Sequence, residues 1–222
     1  MKTDPEIQKN VMEELRWEPL LNAAEIGVAV KNGVVTLSGT VDRYLKKREA
    51  EKATKRVAGV KAVAEDIEVK ISDAFRKTDA EIADAVLNAL KWHSSIQDEK
   101  IKVTVEDGWV TLEGEAQWEF QRSSARSSVE NLIGVKGISN NIKIVSRVVL
   151  KEVKQKITSA FHRSATIDAD KINIETAAGK VILTGKVNSW SEKRDAENAA
   201  WACPGVDRVD NKLEVESEIF AY

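Results

Sequence analysis

The stretch "GVVTLSG", Gly33 to Gly39, returns as "GWVTLEG" at Gly108 to Gly114 and as "GKVILTG" at Gly179 to Gly185. Such glycines serve either a phosphate-cradling loop or a structural unit that has been copied. From Gly39 to Gly114 is 75 residues and from Gly114 to Gly185 is 71, and other landmarks keep step. Val60, Val135 and Val206, in "AGVKAVAEDIEV", "IGVKGISNNIKI" and "PGVDRVDNKLEV", each stand 21 residues after the second glycine. Ile26, Ile101 and Ile172 each stand seven before the first. A fixed period of this size makes each copy one structural unit. The G-x-x-x-x-x-G spacing matches neither the dinucleotide nor the P-loop fingerprint, and no G-K-S or G-K-T occurs. The glycines are therefore architectural.

Each copy opens with an apolar stripe at helical spacing: Ile7, Val11, Leu15; Ile82, Val86, Leu90; Val153, Ile157, Phe161. Strict alternation follows at Ile26, Val28, Val30 and then Val35, Leu37, with the same pattern in the other copies, which predicts two half-buried strands. Between them "KNGV", "EDGW" and "AAGK" place Gly33, Gly108 and Gly179 in tight hairpin turns. The second glycines, Gly39, Gly114 and Gly185, are expected to let the chain leave the sheet for a second helix. That helix shows small or apolar residues at Ala50, Ala53 and Val57, and at Ala125, Ser128 and Leu132, and is expected to end at Gly59, Gly134 and Gly205. A last strand carries Val63, Ile67 and Val69 and their equivalents. The fold class is α+β: three tandem α-β-β-α-β repeats at 1–71, 74–146 and 147–217. Each is a small three-stranded sheet with two helices on one face; the pattern does not give the strand order.

These residues resemble the BON family, the bacterial osmotically inducible and nodulation domain, whose members carry this element order with G-x-V-x-L-x-G and a later G-V before V-x-N-x-L. "GVVTLSGTV" and "PGVDRVDNKLEV" are the closest passages. The resemblance implies a non-enzymatic binding or scaffolding protein, stress-related, that associates with anionic phospholipid, a membrane or an envelope surface. It also leaves open soluble protein-protein interaction or a chaperone-like role. A potassium-type ion-binding role is the more distant alternative, for which Glu106 and Asp107 at a hairpin tip are the nearest carboxylates.

Charge is balanced, with 34 basic and 36 acidic residues, which argues against non-specific nucleic-acid binding. The repeats differ: 13 basic and 12 acidic residues in 1–71, 9 and 12 in 72–146, and 12 and 12 in 147–222. Aromatic and basic residues gather at the start of each second helix: Arg43, Tyr44, Lys46, Lys47 and Arg48; Trp118 and Arg122; Trp190, Lys193 and Arg194. Such a set suits an anionic head group, and it equally suits packing against the neighbouring repeat. Trp17 and Trp92, two residues beyond the last stripe leucine, are expected to close the end of the core. His93 and His162 fall outside the repeated plan, no catalytic partnership is visible, and no cofactor or metal site is expected. Cys203 is expected to be a small core residue.

"MKTDPEIQKNVMEELRW" lacks the apolar run of a signal peptide, and no stretch is long and apolar enough for a transmembrane helix. The expectation is a cytoplasmic protein, or a periplasmic one if a signal has been removed. The connector "ISDAFRKT", Ile71 to Thr78, is longer by four residues than its counterpart around "VSRV", Val145 to Val148. Repeats two and three are accordingly expected to be the tighter pair.

Overall fold

A computed structural model describes residues 2–96, 98–145, 152–177 and 179–216. The first repeat comprises α1 (Asp4–Trp17), β1 (Ile26–Lys31), β2 (Val34–Val41), α2 (Tyr44–Arg56) and β3 (Ala62–Val69). The second comprises α3 (Asp79–Trp92), β4 (Ile101–Glu106), β5 (Trp109–Ala116), α4 (Glu119–Glu130) and β6 (Gly137–Ile144). The third comprises α5 (Val153–Arg163), β7 (Ile172–Ala177), β8 (Lys180–Val187), α6 (Trp190–Trp201) and β9 (Arg208–Val215). The order α-β-β-α-β and the three-stranded sheets are as the periodicity predicts.

In each sheet the middle strand of the sequence is also the middle strand in space. β1 pairs antiparallel with β2 through the hairpin, while β3 returns parallel to β2 because α2 carries the chain back across the sheet. Alternation then divides the faces: Val35 and Leu37 are fully buried under the helices, and the residues between them look outward. Ile7, Val11 and Leu15 of α1 close the first core, as Ile82, Val86 and Leu90 close the second and Ile157 and Phe161 the third. The small stripe of the second helix in repeat two runs through Ala125 and Val129, not Ser128. A spacing of four returns closer to one helix face there than a spacing of three.

The hairpin turns are as the sequence predicts. Asn32 and Gly33 have φ of 54° and 79°, and Asp107 and Gly108 have 54° and 78°, two positive values in succession as a primed two-residue turn demands. The first two turns are also held by the helix that opens their repeat. Asp4 accepts from the amides of Asn32 and Gly33 at 2.7 and 3.0 Å, and Asp79 does the same for Asp107 and Gly108 at 2.8 and 2.9 Å.

The second glycines have a different role from the one expected. Gly39 does not mark the exit from the sheet, because β2 continues to Val41; it lies opposite Ile26, where β1 begins. There the chain entering β1 passes so close that a Cβ on Gly39 would stand 2.1 Å from the Glu25 carbonyl oxygen, and φ is 129°. Gly114 and Gly185 repeat this at Lys100 and Lys171. Gly59 and Gly134 are likewise set past the helix: α2 stops at Arg56, and a Cβ on Gly59 would meet Ile7. Gly205 has φ of 89° in the equivalent turn.

The three repeats close on one another. Tyr44 of repeat one is buried in the core of repeat two, and Ile144 and Ala116 of repeat two pack into the core of repeat three. Repeat three then reaches back to repeat one, where α6 packs on α2 and the Trp190 indole N–H donates to the Val60 carbonyl at 2.8 Å. Connector length alone did not anticipate that third contact. The longer connector forms a short turn at Asp73–Phe75, and residues 146–151 of the shorter one lie outside the described residues.

Gly114→Ala should destabilise the chain by about 3 kcal/mol or more, since it combines a forbidden φ with a backbone collision. Urea unfolding followed by circular dichroism measures this. Ala at Gly137, whose φ is not positive, faces only the Trp109 side chain and should cost less.

Candidate functional site

The helix-start residues singled out from the sequence do not form one surface; they fall into three seams. Tyr44 opens α2 and is 7% exposed. Its hydroxyl receives a hydrogen bond from Arg126 Nη2 of α4 at 3.0 Å. Trp190 opens α6, five residues after its glycine as Tyr44 is after Gly39, and it docks on repeat one. Trp118 stands one residue earlier in register, just before α4, and borders a cleft of about 510 Å³ with Phe120 and, from repeat three, Asn198 and Trp201. Each repeat thus addresses the next, and the third addresses the first.

The cations at these starts sit on acceptors. Lys46 pairs with Asp42 at 2.7 Å, Lys47 donates to the Ile67 carbonyl at 2.9 Å and lies 3.7 Å from Glu65, and Arg48 pairs with Glu51 at 2.5 Å. Arg122 pairs with Glu119 at 2.6 Å and lies over the Trp201 indole, 4.8 Å from its centroid. Lys193 donates to the Leu213 carbonyl at 2.5 Å, as Lys47 does to Ile67, so both fasten their helix to the last strand. Arg43 and Arg194 are exposed.

Between α2 and β3 two carboxylates shift in opposite directions. Burial raises Glu51, but Lys55 and Arg48 outweigh it and hold the group below its ordinary value. Burial, with the Glu51 charge added, pushes Glu65 above its own, against Lys47, Arg48 and Lys55. One Glu65 oxygen is buried without a hydrogen bond. A raised carboxylate means the folded chain holds that proton more tightly than the unfolded one, so its contribution is present at low pH and declines as pH rises through the unfolded value.

Two features escaped the sequence reading. Trp17 and Trp92 do not close the core: they are 84% and 87% exposed. Two residues past Leu15 or Leu90 is about 200° round the helix, so the indole faces away from the buried stripe. Glu192 is buried, receiving the amides of Asn188 and Asp168 at 2.7 and 2.8 Å and so tying the start of α6 to the loop before β7. Gln121 plays that part in repeat two, accepting from the amides of Gln117 and Trp118 at 3.0 and 3.1 Å and donating from Nε2 to the Ser95 carbonyl at 3.0 Å. The equivalence of Glu192 and Gln121, each seven residues after the second glycine, was the available signal.

His93 Nδ1 meets the Ser95 hydroxyl at 2.9 Å. Cys203 lies just past α6, buried, with its thiol pushed up by burial. Among the described residues no group of three His, Cys, Asp or Glu could hold a metal, and no helix is long and apolar enough to cross a membrane. Asp107 at the second hairpin tip faces Lys136 at 3.9 Å.

The BON domain matches residues 3–71, 78–146 and 150–217, one match for each sheet and its two helices. The chain belongs to the BON domain family. It is similar to the osmotically-inducible protein Y of Escherichia coli (strain K12), 29% identical over 129 residues, which are 55% of this chain and 63% of that protein. The BON chain thus matches less than two thirds of that relative's length. Among solved structures it is similar to CdsD, a structural protein of the type III secretion system of Chlamydia trachomatis. Identity there is 14% with a TM-score of 0.28, covering 95% of this chain and 92% of that one. With the C-terminal domain of CdsD the identity is 14% and the TM-score 0.26, over 97% and 100% of the two chains.

Two outcomes test the seams of these BON repeats. Tyr44→Ala should cost about 3 kcal/mol, as truncation of a buried aromatic does, and should split urea unfolding into separate transitions for repeat one and the remainder. Tyr44→Phe should cost about 1 kcal/mol, the loss of one hydrogen bond. Glu65→Gln should stabilise the chain at pH 7 relative to wild type, with the gain shrinking as pH falls through the raised folded value and gone below about 4, where the wild-type carboxyl is protonated in both states. Thermal unfolding at the two pH values measures this.

Proposed function

We propose that this BON protein is a non-enzymatic, stress-related attachment protein that associates with an anionic phospholipid surface through Trp17 and Trp92. One observation carries the reading: two tryptophans at equivalent places, each more than four-fifths exposed. A tryptophan held in water at a helix end suits a lipid-water interface, where the indole leaves water while its N–H stays hydrated. Cations stand beside both, Arg16 before Trp17 and Lys91 before Trp92. Arg56, bonded to Glu14 and Glu18, also brings the basic last turn of α2 next to Trp17. At the other end of α2, Lys46, Lys47 and Arg48 would have to leave their present acceptors to meet a head group. Similarity to an osmotically-inducible protein supports the assignment to stress.

A second reading, attachment to another protein, is favoured by the aromatic cleft bordered by Trp118, Phe120 and Trp201. Co-sedimentation with phosphatidylcholine vesicles containing phosphatidylglycerol separates the two. Trp17→Ala with Trp92→Ala should weaken vesicle binding at least about tenfold, given the roughly 1.5–3 kcal/mol gained by burying one large apolar side chain. High salt should weaken it too, because exposed charges are screened within about 10 Å at 0.1 M. Unchanged binding in the double variant would leave the protein-partner reading as the better account.

A further inference from the structure

Repeats one and three meet along a strongly basic seam. α2 brings Lys52, Lys55 and Arg56, and α6 brings Trp190, Lys193 and Arg194, to one cleft of about 200 Å³. The Trp190 indole has two ammonium groups near it, Lys55 from repeat one at 5.7 Å and Lys193 from its own helix at 5.2 Å from its centroid. On the first-repeat wall the cations are matched: Lys52 with Glu49 at 2.5 Å, Lys55 with Glu51, and Arg56 with Glu14 and Glu18 at 2.8 and 3.1 Å. The third-repeat wall is not. Among the described residues no carboxylate lies within ion-pair distance of Lys193 or Arg194, and Lys193 has only the Leu213 carbonyl. The one carboxylate lining the cleft, Glu197, receives a hydrogen bond from Asn211 Nδ2 at 3.0 Å.

We propose that this cleft binds a phosphate-bearing anion between repeats one and three, and that the anion fastens the third repeat to the first. Arg194 offers a planar fork of donors for two phosphate oxygens, and Lys193 and Lys55 offer point charges beside the indole. A dianion here balances the unmatched charges of Lys193 and Arg194, and it reaches the donors of both walls only when the repeats are together. Its binding therefore stabilises that contact. The chemistry is shared by a soluble phosphate and a lipid head group, and the assignment does not require the tryptophan reading to hold.

The test is thermal unfolding of the full chain in inorganic phosphate against chloride at equal ionic strength, alongside co-sedimentation with phosphatidylglycerol-containing vesicles. Phosphate should raise the midpoint by several degrees where chloride does not. Arg194→Gln should weaken that response about tenfold, the usual effect of losing one charge-assisted hydrogen bond. Lys193→Gln should do the same, while Lys102→Gln in repeat two should leave it unchanged. Arg194 is exposed, so its variant folds even if loss of the Lys193 bond to Leu213 proves disruptive. Trp17→Ala with Trp92→Ala should keep the phosphate response whatever happens to vesicle binding. A vesicle response that Arg194→Gln alone weakens, without any effect of inorganic phosphate, identifies the anion as a head group. Equal midpoints in phosphate and chloride, together with wild-type vesicle binding by Arg194→Gln, overturn the proposal.

Discussion

Tyr44 leaves its own repeat and is buried in the next, and the arrangement of the molecule follows from that step. A unit of about 70 residues with three strands and two helices buries too little apolar surface to be more than marginally stable alone. The second helix is the element with a side to spare, since one face covers the sheet and the other would meet water. An aromatic at its start converts that face into a seam. Because every second helix occupies the same place in its unit, one such contact repeated around the chain brings the third unit onto the first.

The three seams are built alike but made of different chemistry. Five residues after the second glycine stand Tyr44, Glu119 and Trp190; sixteen after it stand Lys55, Glu130 and Trp201. The first seam is a phenol buried beneath an arginine, the second an arginine stacked on an indole beside an open aromatic cleft, and the third an indole close to two ammonium groups. Copies that have diverged at their contacts cannot exchange places, so the order of repeats is written into the seams. Divergence there also gives each seam its own possible ligand, which three identical repeats would lack.

Local features of this fold were legible in the sequence because local forces decide them. The hairpins follow from Asn32-Gly33 and Asp107-Gly108, and the sheet face from Val35 and Leu37. Where the sequence was misread, the cause was a contact between distant residues or a rotation about a helix. Gly39 is required by the carbonyl of Glu25, which alternation does not reveal. Trp17 and Trp92 follow a buried leucine by two places, and composition alone favours burying an indole, whereas the helix turns it outward. The aromatic and basic helix starts were visible as residue types. Their separation into three seams was not, since the Trp190 bond to Val60 spans 130 residues. Lys52, Lys55 and Arg56 gained a role only from that long-range contact.

Closure between the first and last repeats also orders events in time. A chain made from its amino end completes repeat one, and then repeat two, before α6 exists. Until that helix emerges from the ribosome, the basic wall of α2 and the Val60 carbonyl face solvent or whatever else is near. The seams that hold Trp190 and Trp201, both on that helix, are therefore the last to form in biosynthesis. A nascent chain halted before residue 190 would leave open the Val60 carbonyl and the Lys55 side chain that Trp190 meets in the finished protein.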